Sequence, residues 1–444
     1  MLIVPYALLL VPGLSGSGKL RTVLLLISHY YLERVRPKLI YLCKFNPYRT
    51  VGGAAIRNRG VLSLLSKKFD VYLVCFSSND EMVDGDVKVF SLKQESNPVI
   101  SIVCDKSLSV AHFYSKRMVA VIRGLFNEHV FSATYVSELA MFQYVRHIKS
   151  SQQPKIILDC HNIEGLLVRD AVPYQARWRQ PLFLLESHAL MRFEREAINR
   201  SDSVVFVSEA DRQLADVHYN CDHKAFVIPN CLDQIVRVDH TEKRDCSKLD
   251  RFAIVGTLDW HANRSGIEWF IDKIWKPYSF HNPSSELYLI GKKYKRGGEF
   301  TGAGVLNFYN VDDIGTILRL ADVGVAPLLY GGGSRLKILE YFAYCKPVIA
   351  TSKAAHGLEI KPGIHYLKVD NYAEFQQATE ALLDTKLRSS LVQNGLALVQ
   401  SKHMIDQYAT TLLSALSTSP LDSTKGSSHE EDSIHFSHAP KPHK

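Results

Sequence analysis

Leu39-Ile40-Tyr41-Leu42-Cys43, the loop Asn46-Pro47-Tyr48-Arg49-Thr50-Val51-Gly52-Gly53, residues 54–65, then Val71-Tyr72-Leu73-Val74-Cys75: this stretch decides the fold. Runs so uniformly apolar read as strands buried on both faces, and residues 54–65 read as a helix between them. Strand, glycine turn, helix, strand is the βαβ unit of a doubly wound α/β domain. Gly52 and Gly53 would lie at the carboxyl end of the first strand, where such sheets take ligands. The turn lacks the G-x-G-x-x-G spacing, so a nicotinamide cofactor is not indicated. The glycine pair also lets the helix pack close to its strand.

The alternation runs on. A helix is expected over residues 107–126 and strands at 134–136, 156–159, 204–208 and 226–230, the second of these running into Cys160-His161-Asn162. Residues 174–199 interleave Arg177, Trp178, Arg179, Phe183, Arg192, Phe193 and Arg195. They read as a helix that packs its apolar face inward and leaves its arginines in water, the alternative being contact with an acidic lipid surface. Residues 239–250 are charged and turn-rich, as a linker is. A second series of strands and helices starts at Phe252-Ala253-Ile254-Val255-Gly256 and repeats at 287–291 and 305–308.

A chain of 444 residues exceeds what one core serves, so two domains are expected. The division is an N-terminal extension at 1–37, read as a glycine-rich linker or a membrane-touching leader, a first Rossmann-like domain at 38–238 and a linker at 239–250. A second Rossmann-like domain follows at 251–400, a helix at 401–416 and a disordered polar tail at 417–444.

The second domain ends on a phosphate loop. An apolar run closing at Val325-Ala326-Pro327-Leu328-Leu329 reads as a strand, followed by Gly331-Gly332-Gly333-Ser334-Arg335-Leu336-Lys337-Ile338-Leu339-Glu340 and a further strand after Pro347. A glycine turn between strand and helix offers unpaired backbone N–H groups and a positive dipole end, which favour an anion. Arg335 and Lys337 are cations in a first turn where the dipole disfavours them, and an anionic ligand explains their presence. Glu340, one to two turns on, can accept from a pair of sugar hydroxyls. Together they describe a site for a phosphorylated polyol such as a nucleotide.

The net charge of +8 is mild and suits phosphate-bearing ligands or an anionic surface. No recognition helix or aromatic RNA-binding strand accompanies it, so nucleic acid is not expected. The eight cysteines are scattered without a C-x-x-C pair, which favours free thiols in a reducing, cytoplasmic compartment over zinc or disulfides. Gly13-Leu14-Ser15-Gly16-Ser17-Gly18-Lys19-Leu20 nearly matches a Walker A loop, but Leu20 stands where Ser or Thr must hold magnesium. The apolar runs flanking it fall short of the roughly 18–20 residues of a membrane span.

With these motifs in place, residues 38–416 resemble a GT-B glycosyltransferase of the family-4 type, among the glycosyl transferases of group 1. The strongest carrier is residues 331–351, similar to the family segment G-G-G-x-R-x-K-x-x-E continuing to K-P-V-I-A-T, with Gly357-Leu358-Glu359 beyond. Val255-Gly256-Thr257-Leu258-Asp259-Trp260-His261-Ala262-Asn263, Ile228-Pro229-Asn230-Cys231-Leu232-Asp233, Asp159-Cys160-His161-Asn162 and Gly52-Gly53 match further family segments in order. The resemblance implies two Rossmann-like domains facing across a cleft, and a retaining, metal-independent hexosyl transfer from a nucleotide-sugar, with no cofactor. The acceptor it implies is a glycan, lipid or small molecule.

Carried over by position, Glu340 would bind the donor ribose. Gly331, Gly332, Gly333, Ser334, Arg335 and Lys337 would face the donor phosphates or sugar, Gly52 and Gly53 would face the phosphates from across the cleft, and His161 would lie by the transferred sugar. Gly332 stands where the family often has an earlier acid, and Cys231 where it usually has glycine. The family's arginine–lysine pair for the diphosphate has Arg264, Arg335 and Lys337 as candidates. A nucleotide-sugar epimerase, a non-catalytic nucleotide-sugar binder and a phosphotransferase centred on Lys19 are the alternatives.

Overall fold

The computed structural model describes residues 36–50, 52–77, 86–94, 107–148, 153–232, 249–258, 260–292, 298–311, 313–330 and 336–417. The leader with its Walker-like loop, the linker core at 233–248, the tail, and the five residues Gly331 to Arg335 lie outside them.

The first sheet is built from β1 (Lys38–Cys43), β2 (Asp70–Phe76), β3 (Val87–Leu92), β4 (Ala133–Ser137), β5 (Lys155–Cys160), β6 (Ser203–Phe206) and β7 (Ala225–Val227). All pairings are parallel and the order is β3-β2-β1-β4-β5-β6-β7. The second contains β8 (Arg251–Thr257), β9 (Glu286–Lys292), β10 (Val305–Tyr309), β11 (Val323–Ala326), β12 (Val348–Ala350) and β13 (Leu367–Lys368). It is also parallel, in the order β10-β9-β8-β11-β12-β13. Both sheets therefore reverse direction between their first and fourth strands, at β1/β4 and β8/β11. In doubly wound sheets that reversal opens the crevice where ligands bind.

The central strands of each sheet are buried on both faces, which is why they read as continuous apolar runs. Along β1, Ile40 and Leu42 enter one core cluster while Leu39, Tyr41 and Cys43 enter the other, the period of two that a pleated strand imposes. Phe252 and Ile254 divide from Ala253 and Val255 in the same way on β8. Gly291 and Gly256 have φ of 146° and 145°, and a Cβ on Gly291 would stand 1.9 Å from the Gly256 oxygen. Strands β8 and β9 reach the cleft edge only because both residues lack side chains.

The chain's last part crosses back. After helix Thr385–Lys402, the bridge Leu232↔Met404 pairs the departing and returning segments. Leu232 N–H donates to the His403 carbonyl at 2.8 Å, and His403 Nδ1 lies 2.9 Å from the Asn230 carbonyl oxygen. Ile405, Leu412, Ala415 and Leu416 then pack into the core of the first domain with Val61 and Leu65. Both domains are thus joined by two chain crossings held side by side.

Two expectations change, and two elements are new. The helix over 107–126 is two helices, Leu108–Ala111 and Lys116–Glu128. Tyr144 OH takes the Ser115 N–H at 2.8 Å and donates to the Phe113 carbonyl, while Ser115 Oγ caps the second helix at Met118 N–H. The strand before the glycine loop stops at Ala326, since Pro327 has no N–H to offer a neighbour. The long helix Thr385–Lys402 and strand β3 were not expected from the sequence. Gly395 interrupts the apolar spacing of that helix, and a Cβ there would stand 2.3 Å from the Phe342 ring.

Helix Gln180–Arg200 packs Leu190, Phe193, Ala197 and Ile198 inward and leaves Arg192 and Arg195 exposed. Leu182, Leu184 and Leu185 nevertheless face solvent, as does Trp178 just before the helix. No helix among the described residues is long and apolar enough to cross a membrane.

Candidate active site

The residues that follow the strands at each reversal converge on one cleft of about 470 Å³, a volume within the usual range for small ligands. Lys44 follows β1, Glu138 follows β4, and His161 and Asn162 follow β5. Gly256, Thr257 and Lys292 close β8 and β9 opposite, with Asn263, Lys337 and Glu340 behind them. The domains meet closely here. A Cβ on Gly52, whose φ is 123°, would lie 3.5 Å from Thr257 Oγ1, and one on Gly53 would lie 3.1 Å from Leu336 Cδ1.

Gly52 caps helix Gly53–Ser66 without a side chain, and its carbonyl accepts from Ala55 and Ile56. The N–H groups of Gly53 and Ala54 precede the first intrahelical bond. They point the positive end of the helix into the cleft. Lys337 stands across from them on helix Leu336–Ala343, its Nζ donating to Asn263 Oδ1 at 2.7 Å. Asn263 is itself held by donating to the Thr257 carbonyl at 2.7 Å. A lysine fixed beside an open backbone turn is a preorganised cation.

Glu340 lies one turn beyond Lys337 on the same helix. Burial pushes its carboxyl up to about 7, against the pull of Lys337 and Arg59. No described side chain donates a hydrogen bond to it. An acid held this way gains most from a ligand that supplies hydroxyl donors.

His161 is set by a buried network. Arg57 grips Asp159 through Nη2 to Oδ1 at 2.6 Å and Nε to Oδ2 at 3.1 Å, and donates to the Ile228 carbonyl at 2.8 Å. Burial alone would raise the Asp159 pKa, but Arg57 and His161 outweigh it and hold the group well below the usual carboxylate range. Tyr135 OH donates to Asp159 Oδ2 at 3.0 Å. Ser137 spends its one proton on Asn58 Oδ1 at 2.6 Å. Its contact with His161 Nε2 at 3.4 Å therefore requires the ring to donate, and Nε2 also faces Asp159 Oδ2 at 3.6 Å. Nε2 thus faces two acceptors, and Nδ1 is turned toward Glu138 Oε1 at 3.9 Å.

Glu138 is the residue sequence reasoning missed. It holds φ of 70°, a left-handed conformation that costs a non-glycine residue of order 1–3 kcal/mol and that surrounding structure must impose. Lys44 Nζ meets its Oε2 at 2.5 Å. Burial would lower the Lys44 pKa, yet Glu138 and Glu164 together raise it. The available signal was position: Lys44 and Glu138 each stand directly after a strand at the first sheet's reversal.

The expected residues divide as follows. Gly52, Gly53, His161, Lys337 and Glu340 are brought together in the cleft. Gly331, Gly332, Gly333, Ser334 and Arg335 lie outside the described residues, although helix Leu336–Ala343 begins directly after them. Arg264, a candidate for the diphosphate, instead pairs through Nε with Glu268 Oε1 at 2.8 Å and lies over the Phe300 ring.

Residues 250–385 match the family model described as glycosyl transferases group 1. No curated protein matches the chain. Among solved structures, sucrose-phosphate synthase from Thermosynechococcus elongatus is similar at 16% identity with a TM-score of 0.66, covering 85% of this chain and 98% of that one. Anabaena HepE, solved with UDP and glucose, is similar at 14% identity and a TM-score of 0.59, with 86% and 99% covered. The trehalose-phosphate synthase of Burkholderia vietnamiensis is similar at 14% identity and 0.57, with 85% and 99% covered. The shared fold is GT-B.

Proposed function

We propose that this chain, a glycosyltransferase of the GT-B fold, moves a hexose from a nucleoside-diphosphate sugar to a hydroxyl acceptor, keeping the configuration of the transferred carbon and using no metal. The carrying observation is that Lys337 and Glu340 on one helix face the start of helix Gly53–Ser66 and His161 across a single cleft, where both sheets reverse. Structural neighbours crystallised with UDP and UDP-glucose support a uridine nucleotide as the first donor to try.

In this reading Glu340 accepts the two ribose hydroxyls. The diphosphate lies between Lys337 and the Gly53 and Ala54 N–H groups. Breaking the anomeric carbon–oxygen bond places negative charge on the diphosphate and positive charge on the ring. Fixed N–H groups, a helix dipole and a lysine stabilise that charge as it develops. His161 touches the sugar, with its donor side committed to Ser137 and Asp159. The acceptor oxygen attacks from the face the diphosphate leaves, and a diphosphate oxygen takes the acceptor proton. Proton NMR of the reaction in EDTA tests this. The anomeric signal of the first product should keep the configuration of the donor, and the rate should match that without EDTA. An inverted product, or loss of rate on chelation, would remove retention or metal independence respectively.

Contact with a lipid surface is a further part of the proposal. It is supported by Trp178, Leu182 and Leu185, which are 68%, 58% and 69% exposed, beside the exposed Arg177 and Arg179. Such a face favours anionic headgroups. The full chain should sediment with phosphatidylglycerol vesicles and far less with phosphatidylcholine. Leu182→Glu with Leu185→Glu should reduce the bound fraction about tenfold. Equal binding of the paired variant would contradict the contact.

A further inference from the structure

The cleft continues past His161. A second cavity of about 450 Å³ opens under helix Leu108–Ala111, and the two share Lys44 and Glu164 as a common wall. Val110, Phe113, Leu139 and Leu190 line it, and Leu108, 63% exposed, stands at its rim. Glu186 fixes that rim by accepting from the Leu108 and Ser109 N–H groups, each at 2.9 Å. Nothing in the donor reading uses this space, and it meets the donor cleft at the shared wall.

The wall carries a second sign of a ligand. Glu138 Oε1 is buried and has no hydrogen-bond partner among the described residues, while Oε2 is tied to Lys44. A buried carboxylate oxygen left unpaired is costly, and a ligand hydroxyl would satisfy it. The electrostatics select the kind of ligand. Glu138 and Glu164 both stand at the wall, and the lysine between them is already engaged by Glu138. Burial raises the Glu164 carboxyl despite Lys44. A phosphate placed there would add like charge beside two carboxylates, with Lys44 already paired and only the His161 and His112 imidazoles near it.

We propose that the second cavity receives the acceptor, and that the acceptor is an uncharged glycoside or polyol bearing an apolar tail. The tail lies among Val110, Phe113, Leu139 and Leu190. A hydroxyl next to the reacting one donates to Glu138 Oε1. The reacting oxygen bonds to the anomeric carbon, the bond from that carbon to the diphosphate oxygen breaks, and the hydroxyl proton leaves on the diphosphate. This rests on the glycosyltransferase reading above.

The test uses the full chain and whichever nucleotide sugar it turns over, with octyl β-glucoside, glucose and glucose 6-phosphate as acceptors. Each buried methylene contributes about fourfold in affinity. The specificity constant for octyl glucoside should therefore exceed that for glucose about tenfold or more, with glucose 6-phosphate no better than glucose. Leu108→Glu, at an exposed position, and Ala140→Trp, which fills the cavity, should each lower the octyl glucoside to glucose ratio at least about fivefold. A ratio near one in the native chain, preference for the phosphorylated sugar, or a ratio untouched by both variants would overturn the proposal. Failure to turn over any nucleotide sugar would overturn the underlying reading instead, and is told apart because water and glucose then also fail as acceptors.

Discussion

Glu340→Gln should lower kcat/KM about a hundredfold while leaving the fold intact. On the proposed donor pose, two charge-assisted hydrogen bonds to ribose hydroxyls become weaker neutral ones, a loss of roughly 3 kcal/mol in transition-state binding. The same change should stabilise the protein above neutrality. Burial lifts the Glu340 carboxyl from 4.5 to about 7 in the folded chain. The unfolded chain gives up that proton at lower pH, so stability falls as pH rises between these values and the full penalty is present above about 7. Glutamine carries no such penalty. Melting curves of the two proteins should nearly coincide at pH 5, with the variant melting higher at pH 8. Native activity should climb through pH 7 as the carboxylate form appears. A variant with native turnover would sink the assignment of Glu340.

Arg57→Ala should have the largest effect on stability. The guanidinium is 2% exposed, and its removal leaves the fully buried Asp159 carboxylate without its ion-pair partner, with only Tyr135 and His161 beside it. Breaking one side of such a pair costs about 3–5 kcal/mol, which lowers Tm by on the order of 10 °C. It also frees the Ile228 and Pro229 carbonyls where the chain leaves the first domain. The Asp159 pKa is depressed in the folded state. Its contribution is therefore present above the ordinary carboxylate range and is lost as pH falls toward the folded value. The gap between native and variant Tm should narrow in acid. Replacing both partners, Arg57→Met with Asp159→Leu, should cost less than Arg57→Ala, because no charge is stranded. Turnover should fall in Arg57→Ala as well, since Asp159 faces the donating nitrogen of His161. An unchanged Tm in Arg57→Ala would contradict this account of the network.

Much of the fold could be read before the structure because parallel strands buried on both faces leave little choice of residue. β1, β2, β5, β8 and β9 all stand where apolar runs announce them. The break at residues 112–115 could not be read, because it is made by Tyr144 from a distant segment. Nor could the return of residues 405–417 to the first domain, since an apolar helix face does not say which core it joins. The site was legible where a glycine or a helix spacing marks it, as at Gly52, Lys337 and Glu340. Glu138 and Lys44 carry no such mark. Their role arises from two strand ends lying side by side in the sheet, which is a property of topology rather than of spacing. The glycine triplet at 331–333 has a strong signal in sequence, while the described geometry rests on the helix that follows it.

The central claim is that the cleft holds a nucleotide sugar, and calorimetric titration with UDP-, GDP- and ADP-sugars tests it most directly. At least one should bind the native chain with a Kd between roughly 1 µM and 1 mM, and Glu340→Gln should weaken that same binding. If none of them binds the folded native protein, the account is contradicted.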